Sequence, residues 1–202
     1  MRHRKLLLLS VITVLFFSCK NDITYDIVIV NGQVFDGTGS DVISTDIGIK
    51  DDIIITIGDL SKAKSNHVIN AKGLAVTPGF IDAHAHLEPI LELSNCESHI
   101  RQGVTTSLGG PDGSSPWPFG KYLDTLQQVG VGMNVAYLVG HNTVRRNVMK
   151  LDNRAPTDDE LKQMKAQISQ AMDEGAFGIS TGLKYLPGSF SKVDEVIELS
   201  KE

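Results

Sequence analysis

The amino-acid sequence predicts an α/β protein in which a small antiparallel β-sheet precedes the first half of a (β/α)8 barrel. In residues 78–202, apolar strand-like runs alternate four times with helical patterns, which is typical of a parallel sheet with right-handed crossovers. In residues 25–77, short β-branched runs are separated by turn residues instead. A complete (β/α)8 barrel takes roughly 250 residues, so the second segment corresponds to about half of one.

Residues 1–18 are predicted to be a signal peptide rather than part of the fold. A positively charged start precedes an apolar stretch at 6–17, which is shorter than the about 20 residues that span a bilayer. Ser18-Cys19 then resembles a bacterial lipoprotein cleavage site, with lipid attached to the Cys19 thiol; a plain secretory signal is the alternative. We therefore expect an exported protein that faces the periplasm, lipid-anchored to a bacterial membrane, with residues 19–24 as a polar tether.

Turn residues divide residues 25–77 into three predicted hairpins. Asn31-Gly32 is a strong type I′ turn signal, Asp51-Asp52 separates a second pair of runs, and Ala71-Lys72-Gly73 separates a third. The predicted strand pairs are 26–30 with 33–35, 47–50 with 53–57, and 67–70 with 74–77.

The barrel segment begins where the pattern changes to strands that alternate with helices. Thr157 to Glu160 has the form of a capping box, which predicts the start of a helix. The apolar stripe of that helix comprises Leu161, Met164, Ile168 and Met172. The predicted strands are 80–84, 104–108, 134–139 and 177–180, and the other predicted helices are 92–102, 121–129 and 193–199.

The first barrel strand ends in a His-x-His pair, His84 and His86. Because successive side chains of a strand point to opposite faces, both imidazoles are expected on one face. Two neutral imidazoles suit Zn²⁺ or another divalent metal, whereas the alternative is a pair of hydrogen-bonded barrel histidines. Asp82 shares that face deeper in the strand and is expected to orient a ligand rather than bind the metal.

Composition argues against a nucleic-acid partner. The chain of 202 residues has a formal net charge of −5 and no basic stripe.

Five segments of the sequence resemble the amidohydrolase superfamily, and within it the N-acyl-D-amino-acid deacylase (D-aminoacylase) group. The most specific is Pro-Gly-Phe-Ile-Asp-Ala-His-Ala-His at 78–86. The others are 26–39, 101–106, 140–146 and 178–188.

This resemblance implies a TIM-like barrel that bears a small β-sandwich, with a metal at the barrel mouth. The metal would activate water to attack the amide bond of a small-molecule substrate. The group usually has a cysteine ligand just after the second strand, and Asp112 falls at that place. A carboxylate can bind zinc, so Asp112 joins His84 and His86 as a candidate ligand; a plain turn residue in Pro-Asp-Gly is the alternative.

Residues at the ends of the third and fourth strands are candidates for the substrate pocket. His141 follows the third strand, and Lys184 and Tyr185 follow the fourth. The alternatives are a loop histidine bonded to nearby backbone and a solvated lysine. No catalytic residue is assigned within the chain.

Three hypotheses about function follow. The first is a metal-dependent hydrolase of carbon–nitrogen amide bonds, similar to an N-acyl-D-amino-acid deacylase. The second is a truncated product or one half of such an enzyme, incompetent alone and completed by a separately encoded C-terminal half. The third is a non-catalytic lipoprotein binding module.

Overall fold

The computed structural model describes residues 23–202, which form two compact units that divide between Pro78 and Gly79. The predicted signal peptide and Cys19 lie outside the described residues, as does most of the predicted tether. Among the residues described, no helix combines the length and the apolar character needed to cross a membrane.

The first unit is a five-stranded mixed sheet. Its strands run in the order β3-β2-β1-β4, with β5 also paired to β1. The bounds are β1 Thr24–Val34, β2 Ile43–Lys50, β3 Ile53–Gly58, β4 Lys64–Asn70 and β5 Ala75–Val76. The predicted hairpin at Asp51-Asp52 is confirmed, because β2 and β3 are antiparallel and both turn residues have positive φ.

The other two predicted hairpins are wrong. Asn31 has the expected positive φ of 61°, but there the chain bulges and continues, so that 24–34 is one strand with a register shift against β2. The backbone N–H of Asn31 donates to Asp46 Oδ1 at 3.0 Å, which holds the bulge. Strands β4 and β5 pair in parallel with β1, not with each other, so the sheet is mixed rather than antiparallel.

The second unit contains the predicted parallel strands. Strands β6, β7 and β8 form one parallel sheet in chain order, and β9 pairs in parallel with β10. One residue separates β8 from β9, and together they correspond to the predicted third strand. The four predicted barrel strands are therefore present in the predicted order. The bounds are β6 Phe80–Asp82, β7 Val104–Gly109, β8 Asn134–Tyr137, β9 Val139–Gly140 and β10 Ile179–Ser180.

Four of the five α-helices of the second unit contribute buried side chains to its apolar core, and α1 contributes none. Their bounds are α1 Glu97–Ile100, α2 Phe119–Val129, α3 His141–Met149, α4 Asp158–Asp173 and α5 Val193–Leu199, with a short 3₁₀ helix at Gly188–Phe190. The capping box is confirmed: Thr157 Oγ1 accepts from the N–H of Glu160, and the Glu160 carboxylate accepts from the N–H of Thr157. The largest core side chains of α2 and α4 are Phe119, Met164 and Ile168.

Three predicted details differ from the structure. The helix predicted at 92–102 is reduced to α1, because Cys96 has a φ of 50°, which a residue inside a right-handed helix cannot adopt. The first barrel strand ends at Asp82 rather than at His84. On α4, Ala171 is buried in place of the predicted Met172, which is 37% exposed.

A buried ion-pair network joins α3 to α5. The Arg145 guanidinium and the His141 ring both contact the Glu195 carboxylate, with His141 Nε2 2.9 Å from Glu195 Oε1. All three side chains are almost completely buried. Burial raises the pKa of Glu195, but the hydrogen bonds from His141 and Arg145 outweigh it, and the pKa lies below its ordinary value.

Replacing Glu195 with glutamine is expected to lower the free energy of unfolding by about 3 kcal/mol or more at pH 7. The substitution leaves the Arg145 charge buried without its anionic partner. Because folding lowers the pKa of Glu195, its ion pairs stabilise the protein above the unfolded-state pKa of about 4.3. That stabilisation is lost as the pH falls through the folded-state pKa, so the difference between parent and E195Q should shrink below about pH 4.

Urea denaturation at a series of pH values measures this difference. The matched control is E198Q, on the same helix, where Glu198 is an exposed partner of Lys165 and Lys201 and should matter much less. An equal loss in E195Q and E198Q, or a difference that does not change with pH, would contradict the expectation.

Candidate metal centre

Three candidate ligands meet at the carboxyl ends of the first two barrel strands. His84 and His86 follow β6, and Asp112 follows β7. The Nε2 atoms of His84 and His86 each lie 3.3 Å from Oδ2 of Asp112. Because parallel strands end at a common edge, residues far apart in the sequence are brought together there.

Local backbone contacts place the two histidines. Asp82 Oδ1 accepts a hydrogen bond from the backbone N–H of His84 at 3.1 Å, so Asp82 bonds to the backbone of His84 rather than to its ring. Ala85 is buried between the two exposed histidines, and its N–H donates to the carbonyl of Leu108 at 3.0 Å. The alternation expected of a strand therefore persists past the end of β6.

Glu88 is a fourth member of this cluster that the sequence did not reveal. Its Oε1 lies 3.1 Å from Nδ1 of His86, so the carboxylate accepts a hydrogen bond from the Nδ1–H group and leaves Nε2 facing Asp112. The hydrogen bond and charge of Glu88, and then Asp112, raise the pKa of His86. Glu88's own backbone amide and His86 lower the pKa of Glu88. The sequence feature that could have identified Glu88 is its position two residues after the His-x-His pair.

The donor set fits a divalent cation. Two imidazole nitrogens and one carboxylate oxygen lie within 4.8 Å of one another, and the histidine side chains are 62% and 59% exposed. Neutral imidazole and carboxylate are both zinc ligands. Protonated histidines would instead form ion pairs with Asp112, so protons and metal compete for the same nitrogens.

The predicted substrate-pocket residues do not join this cluster. His141 is fully buried, and its Nδ1 lies 2.8 Å from Thr181 Oγ1 while its Nε2 contacts Glu195. Both ring nitrogens are thus engaged by protein groups. Lys184 and Tyr185 are exposed in the segment after β10.

A cavity of about 290 Å³ adjoins Glu88. Its lining includes Leu87 and Pro116 together with Ser114, Ser115, Tyr122 and Tyr137, and no lysine or arginine of the described chain contributes to it. The two tyrosine oxygens are 3.2 Å apart, and burial together with this hydrogen bond raises the pKa of Tyr137. The cavity therefore combines apolar and polar residues, with Glu88 as its charged group.

Comparison with known proteins shows what this chain is similar to. The sequence profile of the amidohydrolase family matches residues 67–198. The chain is 34% identical to the D-aminoacylase of Alcaligenes xylosoxydans xylosoxydans over 88% of its own length and 42% of that protein. The chain thus spans about two-fifths of that curated relative.

Solved structures give the same result. A D-aminoacylase described as having a binuclear metal centre superposes with a TM-score of 0.83 at 34% identity, covering 88% of this chain and 42% of that one. An N-acyl-D-glutamate deacylase from Bordetella bronchiseptica, in complex with zinc and a phosphonate inhibitor, gives 0.82 at 31% identity over the same shares.

The cluster predicts zinc binding by the purified chain. Competition with a chromogenic chelator should show that His84→Ala and Asp112→Asn weaken zinc binding at least about 10-fold, because the first removes a nitrogen donor and the second removes the negative charge of the oxygen donor. His67→Ala is the matched control, since His67 is an exposed histidine outside the cluster.

Zinc affinity should also depend on pH. Contacts with Glu88 and Asp112 raise the pKa of His86, so protons begin to compete with zinc for its ring at a pH above about 6.5, the ordinary histidine pKa. As the pH is lowered, zinc affinity should therefore start to decrease before pH 6.5 is reached.

Equal zinc affinities for the parent and His84→Ala would contradict this expectation. So would a loss of zinc in His67→Ala as large as in His84→Ala.

Proposed function

This chain belongs to the amidohydrolase family, and we propose that it carries the metal-binding part of a hydrolase that cleaves the amide bond of N-acyl-D-amino acids. The observation that carries the proposal is the convergence of His84, His86 and Asp112 at the carboxyl ends of β6 and β7. Active sites of (β/α)8 barrels lie at that face. The named relatives, a D-aminoacylase and a deacylase of N-acyl-D-glutamate, support the substrate class.

The residues of this chain have separate tasks in the proposed reaction. His84, His86 and Asp112 would hold the cation. Glu88 keeps a proton on Nδ1 of His86 and so keeps Nε2 free to bind. When bound, a divalent cation such as Zn²⁺ supplies Lewis-acid chemistry, which polarises a carbonyl and lowers the pKa of water to about 7.

We infer that the cavity beside Glu88 receives the uncharged acyl group of the substrate. Its lining includes apolar residues such as Leu87 and Pro116 that can contact an acyl chain, whereas the Glu88 carboxylate repels a substrate carboxylate. The substrate's own carboxylate would therefore lie on the other side of the metal cluster.

The activity test compares hydrolysis of N-acetyl-D-amino acids with that of their L-enantiomers. Rates are measured for the zinc-loaded chain and for a chimera in which residues 23–202 replace the matching segment of the Alcaligenes D-aminoacylase. We expect hydrolysis of the D-substrates, and a loss of about 100-fold or more in His84→Ala but not in His67→Ala. Equal rates for the parent and His84→Ala would contradict the proposal. Metal binding without hydrolysis in either protein would favour a binding module.

We also propose that the protein is exported and lipid-anchored at Cys19, on the basis of the signal-like residues 1–18. Cells that express the full chain should incorporate labelled palmitate into it, and Cys19→Ser should abolish the label. Cys96→Ser should be labelled as strongly as the parent protein, since Cys96 is a buried thiol within the fold. Labelling that persists in Cys19→Ser would overturn the anchor.

A further inference from the structure

Ser180, the last residue of β10, bridges both ends of the turn that carries Asp112. Its hydroxyl donates to the carbonyl of Gly110 at 2.6 Å and accepts from the backbone N–H of Gly113 at 3.0 Å. The two bonds use the hydroxyl as donor and acceptor at once. Asp112, whose carboxylate contacts both histidines, lies between Gly110 and Gly113 in the sequence.

The backbone of this turn has a left-handed conformation at three residues. Gly110, Asp112 and Gly113 have φ values of 73°, 56° and 80°, in the left-handed region. Aspartate enters that region more readily than most residues with a side chain, so the bonds at the two ends of the turn select this conformation from the others open to it. Once the backbone is fixed, the carboxylate of Asp112 is placed 3.3 Å from Nε2 of each histidine.

Neighbouring segments leave this turn little room to move. A Cβ added to Gly182 would lie 2.1 Å from the carbonyl oxygen of Asp112, so the segment after β10 packs against the turn. The backbone N–H of Thr143 donates to the carbonyl of Gly113 at 3.2 Å. Ser180 adds to these backbone contacts a side chain that bonds to both ends of the turn.

We propose that Ser180 is a positioning residue for the metal centre, because its hydroxyl fixes Asp112 relative to His84 and His86. Loss of that hydroxyl should weaken metal binding although Ser180 itself is not a ligand. Outer partners that orient metal ligands typically change metal affinity about 10- to 100-fold when they are removed. Ser180 has this role only if the metal centre of the proposed function exists.

The test compares three substitutions of Ser180 with a matched control. Ser180→Ala removes the hydroxyl, whereas Ser180→Thr and Ser180→Val have nearly the same shape and differ in the hydroxyl alone. Ser107→Ala is the control: Ser107 is a buried serine whose hydroxyl contacts Met133 Sδ at 3.5 Å. For each purified chain, zinc affinity, the visible spectrum of the Co²⁺-loaded form and the unfolding midpoint are measured.

We expect Ser180→Ala and Ser180→Val to lose about 10-fold or more in zinc affinity and to change the Co²⁺ spectrum. Ser180→Thr and Ser107→Ala should remain within about threefold of the parent. Should Ser180→Ala fail to fold, the Thr and Val pair decides, since only the hydroxyl separates them.

Equal zinc affinities and Co²⁺ spectra for Ser180→Val and Ser180→Thr would overturn the role of Ser180 and leave the metal centre intact. Failure of the parent chain to bind zinc would instead overturn the metal centre, and the role of Ser180 with it.

Discussion

Parallel pairing of the barrel strands is the constraint on which the candidate site depends. Backbone hydrogen bonds align β6 with β7 and β7 with β8, and they align β9 with β10. All carboxyl ends of aligned parallel strands meet at one edge, so the loops that follow them must meet as well. Residues 84–86, 112 and 180 come from three such ends, and no local sequence rule brings them together.

The interior of the second unit shows how polar groups are tolerated close to this edge. His141 follows β9 directly and reaches both Thr181, after β10, and Glu195, on α5. Removal of two charges from water is unfavourable unless the partners are paired and hydrogen-bonded. Arg145 completes the pairing through Glu195 and through the carbonyl of Arg154 at 2.7 Å. The same residues that hold α5 in place therefore tie together the loops next to the metal cluster.

Features with a local cause could be predicted from the sequence, and features with a distant cause could not. The alternation that puts His84 and His86 together is a property of three consecutive residues, and the capping box at Thr157 is a property of four. Asn31-Gly32 predicts a type I′ turn, but only Asn31 has a positive φ, and the pairing partners of β1 decide whether the chain reverses or bulges. The contact of Ser180 with Gly110 spans 70 positions, which no motif encodes.

The chemistry of Asp112 has a consequence for durability. A thiolate ligand is open to stepwise oxidation to sulfenic and sulfinic acids, which removes the thiolate donor from the metal. Imidazole nitrogens and carboxylate oxygens do not follow that route, so none of the three donors of this open cluster can be lost by thiol oxidation. The one sulfhydryl in residues 23–202, Cys96, is buried and lies outside the cluster.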